Sequence, residues 1–412
     1  MRTRVRQINA SIGINYTTPI GTVLTASLSN NNIWREINCD PSTTQLFLVG
    51  PNFTADAALT IRQPLLRGAG ADAVLAEQRQ AAAAEESADF DVDDAASQLV
   101  ADVLVAYWEL WYAERSLGVQ ENAVALATRQ LEEARARQRL GTIAPADALQ
   151  FATAKASLEE TLVTARATRT SRVLELARLL GVDAPTVAAL RVGDAPPEAS
   201  APPAMDTIVA ALRRRSPQLR ALEADIEAAE QRVVAGRNAA RARLDLTGGV
   251  GATTLFTDDT YAGLSLPGGR PALNANVGLE LELPLTSNRA RSELAAARAQ
   301  LDAAEARYSA AVAALEVEVA TRHAELASAI ARLSLVAETA NVSRELAAAE
   351  RSRLTLGTTT PAVLIEAQQT ERESRLRLDR TAADAVIATL RFEDGAGHLL
   401  ERFSITEYGE PE

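Results

Sequence analysis

The sequence predicts an α+β fold in which two long antiparallel α-helical hairpins, one in each half of an internal two-fold repeat, are joined to four amphipathic β-strands. Three observations carry that prediction. The motif Arg137-Gln138-Arg139-Leu140-Gly141-Thr142-Ile143-Ala144-Pro145 returns as Arg353-Leu354-Thr355-Leu356-Gly357-Thr358-Thr359-Thr360-Pro361, an offset of 216 positions. Two stretches, 71–140 and 288–356, contain no proline and only one glycine, Gly118. Elsewhere apolar and polar residues alternate with the period of two that marks a strand.

The chain opens on such an alternation, with Ile8, Ala10, Ile12, Ile14 and Tyr16 set between Gln7, Asn9, Ser11, Gly13 and Asn15. A second strand is read from about Gln45 to Leu66. The first long helix follows, and at about 1.5 Å per residue it would run roughly 100 Å. Such a length needs a partner along it, and heptad spacing supplies the seam: Val103, Leu110, Leu117, Val124 and Leu131 fall seven apart. Gly141 and Pro145 suit a tight turn, since glycine accepts a left-handed conformation and proline tolerates the first turn of the next helix. That shorter helix runs from Ala146 to about Leu180.

A Pro-rich joint at 195–203 reads as a linker, and a helix is predicted from about Asp206 to Ala242. A third strand spans about Leu244 to Phe256, and a loop rich in Gly, Asp and Pro covers 257–271. The fourth strand, Leu279 to Leu285, sets leucines against Glu280 and Glu282. In the second long helix Val319, Leu326, Leu333, Ala340 and Ala347 repeat the heptad. Subtracting 216 maps this series onto the first, so the two helices share one packing phase. A shorter helix from Ala362 to about Phe392 completes the second hairpin. The predicted segments are therefore 1–66, a first strand pair; 67–194, the first hairpin; 195–242, linker and helix; 243–286, a second strand pair; 287–392, the second hairpin; and 393–412, a tail.

Composition narrows the function. Aromatics are 4% of the 412 residues, which favours helix on helix over a broad globular core. The formal charge is -12 and Lys155 is the single lysine, so a nucleic-acid partner is not expected. Cys39 has no cysteine to pair with, and His323 and His398 lie far apart without ligand spacing; no metal or cofactor is predicted. Cys39 reads as an incidental loop thiol. No Gly-rich phosphate loop or catalytic constellation occurs, so no catalytic residue is assigned and the chain is not expected to be an enzyme. Tyr107, Trp108, Trp111 and Tyr112 are read as packing, because they cover much of one helix circumference. No apolar run is long enough for a transmembrane helix. The strands, polar on one side and apolar on the other, suit either the wall of a barrel between lipid and water or a half-exposed sheet of a soluble protein.

The doubled order of strand pair, long helix, Gly turn and shorter helix resembles the TolC-like outer-membrane efflux protein family. The local signatures are Gln63-Pro64-Leu65-Leu66-Arg67-Gly68, Ala106-Tyr107-Trp108-Glu109-Leu110 and Ala211-Leu212-Arg213-Arg214-Arg215-Ser216-Pro217-Gln218-Leu219. The resemblance covers about 5–392. It implies a homotrimer in which each protomer gives four strands to one 12-stranded transmembrane β-barrel and its helices to a tunnel crossing the periplasm. Four strands cannot close a barrel alone, and open edges are not viable in hydrocarbon.

The resemblance further implies passive conduction in a tripartite efflux or type I secretion system, with outer-membrane lipid, a periplasmic membrane-fusion adaptor and an inner-membrane pump as partners. It places adaptor contacts at the hairpin tips, here Arg137, Leu140, Gly141 and Thr142 with Arg353, Leu356, Gly357 and Thr358. It matches Asp147 to an entrance latch acid and Glu366 to a ring carboxylate of an acidic constriction. Leu354 and Thr359 stand where the family has polar or basic latch partners, and Val363 replaces a second ring acid. The competing class is a non-conducting periplasmic or surface coiled-coil scaffold. Because the second half has a helix before its strands, a matching helix and a signal peptide are expected upstream of Met1.

Overall fold

In a computed structural model, described for residues 2–38, 46–189, 192, 195–197, 204–257, 272–283 and 288–403, five strands and eight helices are formed. They fall into two units, Met1–Glu86 with Glu223–Ala306 and Ser87–Leu222 with Arg307–Glu412. Cys39, loop residues 258–271, most of the Pro-rich joint and tail residues 404–412 lie outside the described residues.

The first unit carries one antiparallel sheet in sequence order: β1 (Arg2–Thr17), β2 (Val23–Asn38), β3 (Leu46–Pro64), β4 (Arg243–Thr257) and β5 (Ala272–Glu282). The four-strand expectation is thus corrected to five, and the segment 1–66 holds three strands rather than a pair. The strand that sequence reading missed is β2, whose Ser27-Leu28-Ser29-Asn30-Asn31-Asn32 run is poor in strand-forming types and rich in loop-forming ones. The sheet overrides that preference, because β2 is paired on both sides, Ser29 standing between Ser11 of β1 and Asp56 of β3. A bulge interrupts the β2–β3 register between Ile33 and Arg35.

The β1–β2 connection turns through Gly21 at φ +94°, and any Cβ there would collide with the carbonyl of Gly68. Glycine is needed at that point for conformation and for space alike. The Gly68 amide donates to Asn238 Oδ1 at 2.9 Å, and the Arg67 and Leu65 amides donate to the carbonyls of Ala242 and Leu244. These bonds fix the chain leaving β3 against the chain entering β4.

The helices are α1 (Ala71–Arg139), α2 (Pro145–Leu180), α3 (Ala184–Ala189), α4 (Met205–Arg215), α5 (Pro217–Ala239), α6 (Asn288–Thr355), α7 (Pro361–Gly395) and α8 (Leu399–Arg402). The single helix expected over 206–242 is two, broken at Ser216, whose ψ of 115° is extended. Pro217 causes the break, since its ring disfavours the helical region for the residue before it.

All ten heptad residues of α1 and α6 are buried or half-buried. In the second unit Trp108 and Trp111 pack on Ala383, Val386, Ile387 and Leu390 of α7, with the two indoles edge to face at 5.8 Å. A second cluster joins Leu212 and Leu219 to Leu315, Val319 and Leu326. A third joins Ala106 and Leu110 of α1 to Val173, Leu176 and Ala177 of α2. The alanines let helix axes approach while the leucines fill the remaining space, which is how a ring-poor sequence builds a core.

Candidate functional site

Strand register decides which side chains share a face of the sheet. Val23 stands opposite Arg62, Arg62 opposite Thr247 and Thr247 opposite Gly278. Counting by twos from that row, one face carries Asn9, Ser11, Asn15, Thr25, Ser27, Ser29, Asp56, Thr60, Thr253, Asn274 and Asn276. The other carries Ile8, Ile12, Ile14, Leu24, Leu28, Leu59, Ile61, Leu246, Val250, Leu273, Val277, Leu279 and Leu281, all of them exposed. The partition by chemistry holds over most of the sheet, with Val5 an exception on the first face and Asn30 and Asn32 exceptions on the second.

Apart from Asp56 and the charges at one end of the sheet, the polar face is built from neutral amides and hydroxyls. Gln7 Nε2 donates to Asn31 Oδ1 at 3.1 Å, and Thr247 Oγ1 donates to the Gly278 carbonyl at 3.2 Å. Gly249 and Gly251 leave room for Asn276 and Asn274, whose Oδ1 atoms would collide with a Cβ at either glycine.

Charge gathers at the end of the sheet where β3 stops and β4 begins. Buried Asp245 accepts from Arg243 Nε at 2.7 Å, with Arg62 Nε at 3.9 Å, while Arg67 and Arg243 both reach Glu282. Sequence reading missed this cluster, since its members come from three separate segments.

The two helical turns have one geometry. Gly141 has φ +72° and Gly357 φ +73°. The amides of Thr142 and Thr358 donate to the carbonyls of Arg137 and Arg353 at 3.0 and 2.9 Å, and each threonine Oγ1 donates to the same carbonyl. A Cβ on either glycine would meet nothing within 4 Å, so glycine is required there for its φ and not for space. Leu140 is 79% exposed and Leu356 77%. Each tip is thus a bonded turn presenting bare backbone and one leucine to solvent.

The structure brings the hairpins together behind the tips: Leu354 of α6 and Ile365 of α7 pack on Leu131, Ala134, Ala148 and Phe151 of the first hairpin. Leu354, the departure from the family's latch pattern noted in the sequence, is an apolar packing residue. Asp147 is half-buried in the first turn of α2, where a carboxylate complements the helix N-terminus, and Glu366 is exposed on α7. Among the described residues neither makes an ion pair. Glu350, buried near the second tip, accepts from Arg353 Nη1 at 2.7 Å and keeps its other oxygen without a partner.

A second feature missed in the sequence is an ionic brace across three helices. Glu109 of α1 accepts from Arg380 of α7 at 2.8 Å and lies 3.5 Å from Arg172 of α2, and Arg380 also reaches Asp384 and lies over the Tyr112 ring. The Arg380 hydrogen bond holds the Glu109 carboxyl below the usual carboxylate range, and the same bond holds the guanidinium charge more firmly than usual. Farther along, burial raises Asp94, with Asp394, Asp91 and Glu318 adding repulsion.

Among the described residues no cluster of His, Cys, Asp or Glu could hold a metal, and no helix is long and apolar enough to cross a membrane. His398 meets Arg215 and His323 lies edge on to Phe392.

Residues 208–397 match the family described as outer membrane efflux protein. The fold is that of solved outer-membrane channels. The outer-membrane channel OprN superposes with a TM-score of 0.73 at 20% identity, over 92% of this chain and 82% of its own. The Vibrio cholerae outer membrane protein VceC gives 0.68 at 15%, over 96% and 87%. The Campylobacter jejuni CmeC outer membrane channel gives 0.68 at 11%, over 98% and 81%. A comparison with curated proteins found no match.

Proposed function

We propose that this chain, whose residues 208–397 carry the outer membrane efflux protein domain, is one protomer of a trimeric outer-membrane duct that conducts substrates passively from the periplasm to the exterior. Members of that family are transport proteins and the chain is not an enzyme. The observation that carries the duct reading is the partition of the sheet. Its apolar face leaves fourteen large side chains exposed, from Ile8 and Tyr16 on β1 to Leu281 on β5. Covering each is worth about 1.5–3 kcal/mol, and even half of that for partial burial sums to roughly 10–20 kcal/mol. A soluble scaffold has no use for such a face, whereas lipid covers it and leaves the amide-lined face to water.

In this reading the helices form a tunnel in the periplasm, and the equivalence of the Gly141 and Gly357 turns supports an internal two-fold repeat. A membrane-fusion adaptor grips Arg137, Leu140, Gly141 and Thr142 with Arg353, Leu356, Gly357 and Thr358, and an inner-membrane pump supplies energy. The bare turns suit that role, because nothing stands over Gly141 or Gly357 to keep a second helical hairpin from their backbone. Asp147 and Glu366, repeated about the axis, give a negative entrance that favours cations. Opening is a shift of packed helices at the tip, with no bond made or broken.

Planar-bilayer recording on the full-length natural protein tests the proposal. Steps of conductance that track the trimer fraction are expected. A stable trimer that leaves the bilayer silent would contradict the duct.

A further inference from the structure

The second unit half-buries five arginines among the described residues, and four of them reach a carboxylate. Arg169 meets Glu114, Arg172 and Arg380 meet Glu109, and Arg322 meets Asp394. The fifth, Arg372 of α7, makes no ion pair or hydrogen bond among the described residues. Burial pulls its guanidinium below the usual arginine range, and the charge that opposes this is Glu373, its exposed neighbour in sequence. A cation drawn partly out of water is ordinarily paired. Arg372 is built for a partner that the chain does not supply.

The guanidinium lines a groove of about 230 Å³ between α1, α2 and α7. All three walls come from one chain, so the groove needs no neighbouring copy to exist. Part of its lining is apolar, with Leu126, Phe151, Leu158 and Ile365, and Ile365 packs on Phe151. Gln130 Nε2 of α1 donates to Gln368 Oε1 of α7 at 3.3 Å, which leaves the Gln368 amide nitrogen as a donor. Arg375 and Glu371 complete the charges of the lining, neither in an ion pair, and Arg375 also faces Asp379. Two guanidiniums against one carboxylate leave a single positive charge.

We infer that this groove binds a small organic monoanion, its carboxylate held by Arg372 and its apolar body laid along Phe151 and Leu158. The planar guanidinium fork takes a carboxylate through two parallel hydrogen bonds. Glu371 disfavours a second negative charge on the ligand, and the two arginines exclude a cation. Drug-sized pockets run from roughly 300 Å³ upward, so the occupant is smaller, on the scale of one or two rings. The groove belongs to the helical unit and exists whether or not the sheet spans lipid, so the site and the duct fail by separate tests.

Equilibrium dialysis of the full-length natural protein in an uncharged detergent, with empty micelles as the blank, measures binding of 2-naphthoate and of its uncharged isostere 2-naphthamide. Naphthamide is expected to bind wild type more weakly by about tenfold or more, and Arg372→Gln is expected to bring naphthoate down to that level. Arg375→Gln, at the exposed rim, should weaken naphthoate by only about two- to fivefold. Equal affinity for the two probes, a comparison that needs no variant, would overturn the inference. Arg372→Gln without probe is expected to keep the heat-resistant trimer. Loss of that trimer would also overturn the inference, because Arg372 would then be answering a carboxylate of a second copy.

Discussion

The sheet and the helical unit bury their apolar residues in opposite ways. In the second unit Val319, Leu219 and Leu399 are 0% exposed, each enclosed by its own chain. On the sheet Leu273 is 80% exposed and Val277 84%. The helical unit is a finished core, while the sheet leaves its apolar face uncovered by its own chain. The same hydrophobic effect acts on both, and the difference lies in what is left to do the covering.

The sharpest way to break that contrast is to put a charge on each side of one strand. Ala57 lies on the apolar face of β3 and Ala58 on the polar face. Ala57→Arg is expected to cost about 2–4 kcal/mol per copy near mid-membrane, roughly 6–12 kcal/mol for three copies, and to abolish heat-modifiable trimers. Ala58→Arg is expected to leave assembly intact and change ion selectivity in bilayer recordings. Equal effects from the two would remove the distinction between faces.

Next in size is a change within the finished core. Leu219→Ala should cost about 2–5 kcal/mol, read as a lower denaturant midpoint, because the cavity cannot be refilled from solvent. Trimers that do form should conduct normally. Glu109→Gln should cost less, about 1.5–3 kcal/mol, by removing the charge that binds Arg380. The sign of the pH effect follows from the lowered Glu109 carboxyl: its contribution is complete above the ordinary carboxylate value and is lost as pH falls through the lower folded one. Denaturation curves of wild type and Glu109→Gln should therefore differ at neutral pH and converge at strongly acid pH.

The smallest effect on stability is expected at the tips. Leu140→Ala with Leu356→Ala should change stability by no more than about 0.5 kcal/mol, since both side chains already face solvent. The same pair should lower adaptor capture in a pull-down severalfold. Retained capture would move the docking surface off the turns.

Much of the helical unit was legible in the sequence, because a Pro-free heptad and a Gly-x-x-x-Pro turn are local signals whose physics needs no distant partner. The break at Ser216 was legible too, in Pro217, but the apolar pattern of the flanking helices masks it. β2 was not legible: Ser27, Ser29 and Asn31 fall on the polar face of the sheet, and that face exists only once β1 and β3 flank the strand. The brace of Glu109, Arg172 and Arg380 was equally hidden, since residues 271 positions apart meet only through helix packing. The tip residues were found by the repeat, and the structure added that Leu140 and Leu356 both point outward.

Site-directed spin labels placed singly at Ala57, Ala58, Leu59 and Thr60 of the protein in lipid bilayers give the most direct test that one face meets lipid and the other water. Labels at Ala57 and Leu59 should collide preferentially with oxygen dissolved in the bilayer, and those at Ala58 and Thr60 with a water-soluble nickel chelate. Four positions equally open to the chelate would make the sheet a soluble one and contradict the account.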